Sequence, residues 1–341
     1  MKNVFRLAVF FLVSLMFFAG GNQAIMDVSA SGASQKVILK MAGQYAPDHS
    51  TTVLQYKFKE IVEAESNGEI EIKIYPANQL GDYTQVYEEL RRGTIDMATI
   101  SVPSQFDQRL DITYLHYLAM NYKEAEKIYA RGSEMFKIMG ELHGALGVKF
   151  LGFNVEGFGI LGLAKKPDNL FDPAKPKNIL LRVPPMAVFK ITADDQGFQT
   201  VSVPFAELYT ALQTGVADGW SGGPAMVNYL QFGDVIKYAL MCNNFFENTS
   251  YLMSQETWDS LSEKHQKIIT DAAAEISKES LKVAENNDKI YPAKLEEKGI
   301  EVIYFNDEEL KVWADHCRKV TWPKLEERLT KEFIDRLLSD Y

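Results

Sequence analysis

Apolar and polar positions along the chain follow two periods, and the switches between them mark the elements. Residues 37–42 form a short apolar run that reads as a buried strand. The segment after it places Leu54, Phe58, Ile61 and Val62 on one helical face before Ser66-Asn67-Gly68 stops the helix. Ile70, Ile72 and Ile74 then alternate with Glu71 and Lys73, the two-residue period of a strand. A second helix carries Val86 and Leu90 to a stop at Gly93, and residues 95–100 return as a strand. This β-α-β-α-β order predicts an α/β sheet.

The pattern restarts in the middle of the chain. Strands are expected at 148–153, 158–163 and 179–183, with a short one near Val201 and a helix from Phe205. Tyr87, Leu90, Gly93 and Asp96 recur as Tyr209, Leu212, Gly215 and Asp218, each shifted by 122 positions. Both copies end a helix at glycine and enter the next strand through a turn closed by aspartate. The echo favours two similar α/β lobes over one large sheet. Beyond Glu256 the chain turns helical, with Trp258, Leu261, Ile268, Ala272, Ile276 and Leu281 at helical spacing. Residues 300–305 make one more strand, and 308–341 are mostly helical with Pro323 interrupting. No Pro/Gly/Ser linker separates the halves, so the chain crosses between lobes more than once, which makes a cleft with a hinge. The expected division is 36–156 plus 248–288 for the first lobe and 157–247 plus 289–341 for the second.

The N-terminus follows a different rule. Lys2 and Arg6 precede an almost unbroken apolar run from Leu7 to Ala19, and Val28-Ser29-Ala30 offers a small-x-small cleavage site. This predicts a secretory signal peptide over residues 1–30. As a helix the run would rise only about 20 Å, short of the roughly 30 Å hydrocarbon core. The product is expected to be exported and soluble, not membrane-embedded.

Composition narrows the function classes. With 36 Lys+Arg against 46 Asp+Glu the net charge is −10. Removing residues 1–30 takes two basic residues and one acidic one, so the net charge falls to −11. Such a chain lacks the basic footprint that nucleic acid requires, and an anionic ligand would need a local positive site. The two cysteines, Cys242 and Cys317, have no metal or redox spacing, and an exported chain could join them or bury both as thiols. The five histidines show no H-x-x-x-H or H-E-x-x-H spacing, so no metal site is expected.

Two glycine motifs compete for attention. Gly157-Phe158-Gly159-Ile160-Leu161-Gly162 fits G-x-G-x-x-G, but a turn and no helix follows it, which favours a glycine-rich strand over a nucleotide cradle. Gly219-Trp220-Ser221-Gly222-Gly223 fits the G-x-S-x-G nucleophile elbow, with His265 or His316 as the base. A secreted serine hydrolase using Ser221 is therefore the enzyme alternative. Arg182 stands apart as a charge at the end of the apolar strand 179–183, where α/β sheets bind ligands. Its planar fork can hold a carboxylate or sulfonate through two charge-assisted hydrogen bonds, or it can form a structural ion pair. Phe205 and Trp220 lie in glycine- and proline-rich turns at comparable strand ends, where they either wall a pocket or pack the core.

Four motifs then occur in order: Tyr75-Pro76-Ala77-Asn78-Gln79-Leu80-Gly81, Gly93-Thr94-Ile95-Asp96-Met97, Leu181-Arg182-Val183-Pro184, and the run from Ala206 to Gly219. In these the chain resembles the DctP-type substrate-binding proteins of tripartite ATP-independent periplasmic (TRAP) transporters. The resemblance implies a two-lobed periplasmic-binding-protein fold with lobe-crossing strands and long C-terminal helices. It implies a periplasmic solute receptor, not an enzyme, that needs no cofactor, closes on a small organic acid and delivers it to TRAP membrane permease subunits. Carried over, the carboxylate-binding arginine is Arg182 and the aromatic packed on the ligand is Phe205. Gln44, Tyr45 and Ser101 match positions that supply polar contacts. The chain departs from the pattern at Asp218-Gly219-Trp220-Ser221-Gly222-Gly223-Pro224, where the family's acid-contacting asparagine is missing. No second arginine stands near Asn154, Glu156 and Phe158, which counts against sialic acid and a doubly clamped dicarboxylate. Trp220 and Ser221 point instead to a monoanion with a hydroxyl or apolar body, and Glu156 leaves room for an amino group.

Overall fold

The computed structural model describes residues 36–339, so the expected signal peptide lies outside the described residues. The chain begins with β1 (Val37–Gly43), α1 (Ser50–Glu65), β2 (Ile70–Tyr75), α2 (Tyr83–Arg91) and β3 (Met97–Ile100). His49 starts α1 by accepting the Thr51 N–H on Nδ1, and Asn67 and Gly68 end it in left-handed conformation, at φ 52° and 77°. Asp82 and Gln85 form a reciprocal cap on α2. A 3-10 turn (Gln108–Tyr114), α3 (Tyr122–Ile128) and α4 (Glu134–Ala145) lead to β4 (Val148–Phe158) and β5 (Ile160–Leu163).

The second unit repeats the first. It runs β6 (Leu180–Val183), α5 (Ala187–Asp195), β7 (Gln199–Ser202), α6 (Leu208–Gln213) and β8 (Gly219–Gly222). In one sheet the order is β2-β1-β3, with β1 parallel to both neighbours; in the other it is β7-β6-β8, with β6 parallel to both. The sequence echo has a structural cause here. Asp96 Oδ2 accepts the Lys40 N–H of β1 at 2.7 Å, and Asp218 Oδ2 accepts the Leu180 N–H of β6 at 3.0 Å. Each aspartate ties the turn into one strand to the central strand beside it.

The remaining elements are α7 (Ala225–Val227), β9 (Tyr238–Met241), β10 (Phe246–Ser254), α8 (Gln255–Ser260), α9 (Glu263–Glu297), β11 (Glu301–Tyr304), α10 (Asp307–His316), α11 (Trp322–Leu329) and α12 (Lys331–Ser339). They complete a five-stranded sheet, β2-β1-β3-β10-β4, and a six-stranded one, β11-β9-β5-β8-β6-β7. The molecule is two-lobed and mixed α/β. The chain passes between sheets at Gly159, from β4 to β5, and again between β9 and β10. The sequence places a strand end at Phe153, but β4 continues to Phe158. Asn154 and Glu156 lie in this extension and both are buried: Asn154 Nδ2 donates to Thr51 and Thr249, Glu156 Oε1 accepts from the same two, and Asn154 Oδ1 and Glu156 Oε2 have no partner among the described residues.

Helix α9 packs along β4 and also reaches α1, α7 and β11. Its Asp288 accepts the Phe158 N–H at 2.8 Å and the Tyr122 hydroxyl at 2.6 Å, fastening the helix to the first crossing. Gly157 sits there at φ 120°, and a Cβ would come within 2.6 Å of Asp288 Oδ1. Pro323 lies in the first turn of α11, which a π-helical turn at Cys317–Thr321 joins to α10 without a break. The C-terminal α12, grouped with the second lobe on sequence, is ion-paired through Arg336 to Glu134 and Glu141 of α4. Cys242 and Cys317 are buried free thiols, which settles that alternative against a disulfide. Among the described residues no helix is long and apolar enough to cross a membrane.

Candidate ligand-binding site

The parallel strands of both sheets end on one partly open void. Its first wall comes from the loop after β1 (Gln44, Tyr45), the start of α2 (Tyr83), the residue after β3 (Ser101), Tyr114 and Glu247 of β10. The facing wall comes from the second sheet: Arg182 and Pro184 at the end of β6, Met186 and Phe189 at α5, Phe205 after β7, and the β8 segment from Trp220. A crevice outside the carboxyl ends of α/β strands is where such sheets bind ligands.

Arg182 is only 2% exposed, yet it forms no ion pair among the described residues. Nε donates to the Val203 carbonyl at 2.8 Å, and Nη2 is buried without any partner. Burial lowers its pKa to about 10, while Tyr83, Asp82 and Glu247 nearby favour its charge. It therefore stays cationic at neutral pH. Asp82, the nearest candidate for a structural pair, spends its Oδ1 on the Thr84 N–H as the α2 cap. The structural ion-pair reading of Arg182 fails on this geometry.

Trp220 is fixed from three sides. Its Nε1 donates to Asn228 Oδ1 at 2.9 Å, and its ring packs on Phe232 at a 4.8 Å centroid distance. Gly162 and Gly222 make room for it: a Cβ on Gly222 would lie 2.0 Å from the indole, and one on Gly162 would lie 2.2 Å from Asn228 Oδ1. Both glycine motifs thus serve close packing in strands, and a helical segment follows only the second, from Ala225 after Pro224. Across the void Tyr45 stacks on His49 at 3.8 Å and meets Phe205 edge-on at 5.8 Å. Burial lowers the His49 pKa to about 3, so this support is neutral.

Glu247 is the second charged side chain on the void. It is 7% exposed and sits at a register shift between Glu247 and Asn248, a β-bulge of the kind that re-aims a side chain. Oε1 accepts the Asn248 N–H at 3.0 Å, and the other oxygen has no partner among the described residues. Burial raises its pKa well above the carboxylate range, with repulsion from Glu156 adding to this. Glu156 itself is pushed up to about 7 by burial.

Of the residues singled out on sequence, the fold gathers Gln44, Tyr45, Ser101, Arg182, Phe205, Trp220 and Ser221 around the void. It does not bring Asn154, Glu156 and Phe158 to its lining: the first two are engaged with Thr51 and Thr249, and Phe158 packs on Tyr122 and Phe246. Sequence reasoning missed Tyr83, Tyr114, Met186, Phe189 and Glu247. Only Glu247 left a trace, as a lone acid beside Phe245-Phe246. Ser221 lies in buried β8, and its hydroxyl accepts from Asn244 at 3.4 Å. His265 bonds Glu69 and His316 bonds the Asp195 carbonyl, so neither serves Ser221, and the hydrolase alternative finds no support. Asn248-Thr249-Ser250 has the N-x-S/T form of a glycosylation acceptor, but Asn248 is buried, with Nδ2 donating to the Thr113 and Phe246 carbonyls. No three His, Cys, Asp or Glu among the described residues could together hold a metal ion.

Known proteins resemble the chain over nearly this whole architecture. An uncharacterized protein of Haemophilus influenzae is 30% identical over 253 residues, 73% of this chain and 75% of that one. The C4-dicarboxylate-binding periplasmic protein DctP of Rhodobacter capsulatus is 25% identical, covering 92% of this chain and 94% of its own. The crystal structure of a TRAP periplasmic solute binding protein from Haemophilus influenzae, with L-gulonate bound, superposes with a TM-score of 0.79 at 25% identity, over 89% of this chain and 99% of that one. The sugar acid binding protein DctPAm from Advenella mimigardefordensis gives a TM-score of 0.82 at 23% identity, covering 90% of this chain and 98% of its own. Residues 42–327 match the family model of DctP, bacterial extracellular solute-binding protein, family 7. On that match the chain belongs to family 7 of the bacterial extracellular solute-binding proteins, the substrate-binding proteins of TRAP transporters.

Proposed function

We propose that the chain captures a small organic acid anion in the periplasm, closes its two lobes on it and hands it to a TRAP membrane permease, with no chemical change to the ligand. One observation carries the reading. A buried guanidinium faces the void with an unpaired Nη2 and no carboxylate partner. Burying a cation without an anion costs free energy, and a charge held so has a use only when the anion arrives from outside. The acid ligands named for the Rhodobacter and Haemophilus relatives agree with this choice.

Arg182 binds the acid head, while Phe205 and Trp220 cover its carbon frame as water leaves. Water exclusion strengthens the ion pair. Ligand contacts made on both walls give the closed state its differential affinity, which is what shifts the lobes. The lobes meet at the crossings around Gly159 and between β9 and β10. The test is thermal-shift screening of ligand-stripped protein against monocarboxylates, hydroxy acids, keto acids, sulfonates and amino acids, with mass spectrometry of any co-purified ligand. Stabilisation by at least one organic anion is expected. A chain that no anion stabilises, or that hydrolyses an ester through Ser221, overturns the reading.

A further inference from the structure

We propose that the ligand is a zwitterion: a compact amino carboxylate whose carboxylate sits on Arg182 and whose ammonium group sits on Glu247. This deepens the reading above and rests on it. Arg182 and Glu247 are the two charged side chains lining the void, and they come from different sheets. They influence one another electrostatically, yet they form no ion pair. A guanidinium and a carboxyl group in one void are each other's natural partners. Here β6 and the bulge of β10 hold them apart, Arg182 with an unpartnered Nη2 and Glu247 with only the Asn248 N–H on Oε1. Burial favours the protonated form of Glu247 in the empty void; an ammonium group brought beside it supplies the positive charge that lets it ionise, so a molecule carrying both charges satisfies both groups, whereas a plain anion offers Glu247 no cation.

The uncharged lining narrows the body of the ligand. Most polar atoms on the void are already engaged. The Gln44 amide is tied at both ends to Ser101, and the Tyr114 hydroxyl accepts from the Val102 N–H and donates to the Asn248 carbonyl. Trp220 Nε1 is taken by Asn228. Among the described residues, Arg182 Nη2 and the Tyr83 hydroxyl have no partner, and Glu247 shows a bond only at Oε1. The rest is apolar: Pro184, Met186, Phe189, Phe205 and Val227. A polyhydroxylated acid would bury several hydroxyls against carbon, each left without a partner and each disfavoured. An ammonium group instead finds the Glu247 oxygen, the Tyr83 hydroxyl as acceptor and aromatic faces, which attract cations. An amino acid with an apolar or aromatic side chain fits this set.

The experiment is calorimetric titration of ligand-stripped protein with the common amino acids and with matched analogues that lack one charge. Phenylalanine is paired with 3-phenylpropanoate, phenyllactate and 2-phenylethylamine, leucine is paired with 4-methylpentanoate, and gluconate stands for the sugar acids. At least one amino acid is expected to bind at least tenfold more tightly than every amine-free acid. Glu247→Gln should weaken that amino acid by roughly 10- to 100-fold and should not weaken its amine-free analogue. That second measurement reports whether the variant still folds a working site. If hydroxy acids or gluconate bind as tightly as any amino acid, or if Glu247→Gln leaves amino acid affinity unchanged, the zwitterion assignment is overturned while acid capture by Arg182 stands. If no carboxylate of any kind binds, the parent reading falls with it.

Discussion

Replacing Arg182 with methionine separates a binding arginine from a structural one, because the two roles predict opposite results. Burial lowers the Arg182 pKa from 12.5 to about 10, so holding its charge in the empty site costs the fold about 3 kcal/mol at 1.36 kcal/mol per unit. Methionine fills much of the same space and removes that cost. Against this, the Val203 carbonyl loses its 2.8 Å donor, and an unsatisfied buried acceptor costs about 1–3 kcal/mol. The ligand-free stability of Arg182→Met should therefore lie within about 2 kcal/mol of wild type. Affinity for the anion should fall by about 2–5 kcal/mol, roughly 30- to 5,000-fold, since the carboxylate would be buried unpaired. Urea unfolding of stripped protein gives the first number and titration calorimetry the second. A structural arginine would show the reverse: about 3–5 kcal/mol of lost stability, as when a buried pair is broken, with affinity unchanged. That outcome would refute the assignment.

Three further predictions follow from the surroundings of the site. Gly162→Ala should destabilise the protein by about 1–3 kcal/mol through overpacking, because the new Cβ would lie 2.2 Å from Asn228 Oδ1 and 2.8 Å from Trp220 Nε1; a shifted tryptophan emission with weaker ligand binding would accompany it, and unchanged emission would contradict the packing account. Asp288 is partly buried, and desolvation raises its pKa from 3.8 to about 7. Its stabilising effect is complete below pH 4 and lost as pH rises through 7, on the order of 2–3 kcal/mol between pH 5 and 8. Asp288→Asn should gain on wild type by that amount over the interval in urea midpoints, and a pH-independent difference would exclude the effect. Cys242 and Cys317 are free and buried, each with its pKa pushed up to about 12 by burial; neither should react with a thiol reagent at pH 8 until the protein unfolds, and a native intact mass 2 Da below the reduced one would contradict the pairing state.

The elements legible in the sequence are those whose polar residues face water. In β2 the alternation of Ile70, Ile72 and Ile74 with charged neighbours survives because one face is exposed, and α1 and α2 carry their caps and stops in local residues. Strand β10 is hidden for the opposite reason: all nine residues are buried between β3 and β4, including Glu247, Asn248, Thr249 and Ser250, so no period appears. The same effect cut β4 short at Phe153. Asn154 and Glu156 drew attention as polar groups near a cleft, but the hydroxyls that hold them come from Thr51 and Thr249, distant in sequence. Arg182 was legible because a charge ending an apolar strand at a sheet's carboxyl edge has few other uses. Tyr83 and Tyr114 were not, since only the tertiary fold turns them toward the void.

The repeated units also explain why the void is lopsided. In the first sheet Met41 of β1 stands opposite Met97 of β3, and the next pair is Ala42 with Ala98. In the second sheet Leu181 of β6 stands opposite Gly219 of β8, and the next pair is Arg182 with Trp220. Asp96 and Asp218 precede Met97 and Gly219, so the two pairs occupy the same place in the repeat. One unit spends that place on small buried alanines, and the other on the guanidinium and the indole. The first sheet then contributes to the void from beyond its strand ends, through Gln44, Ser101 and the bulged Glu247. A change of ligand class therefore needs few substitutions, at Arg182, Trp220 and Glu247, because the scaffold holds these positions by strand register and by a bulge. Ala42 and Ala98 are set by core packing, and enlarging them would overfill the first sheet before it reshaped the site.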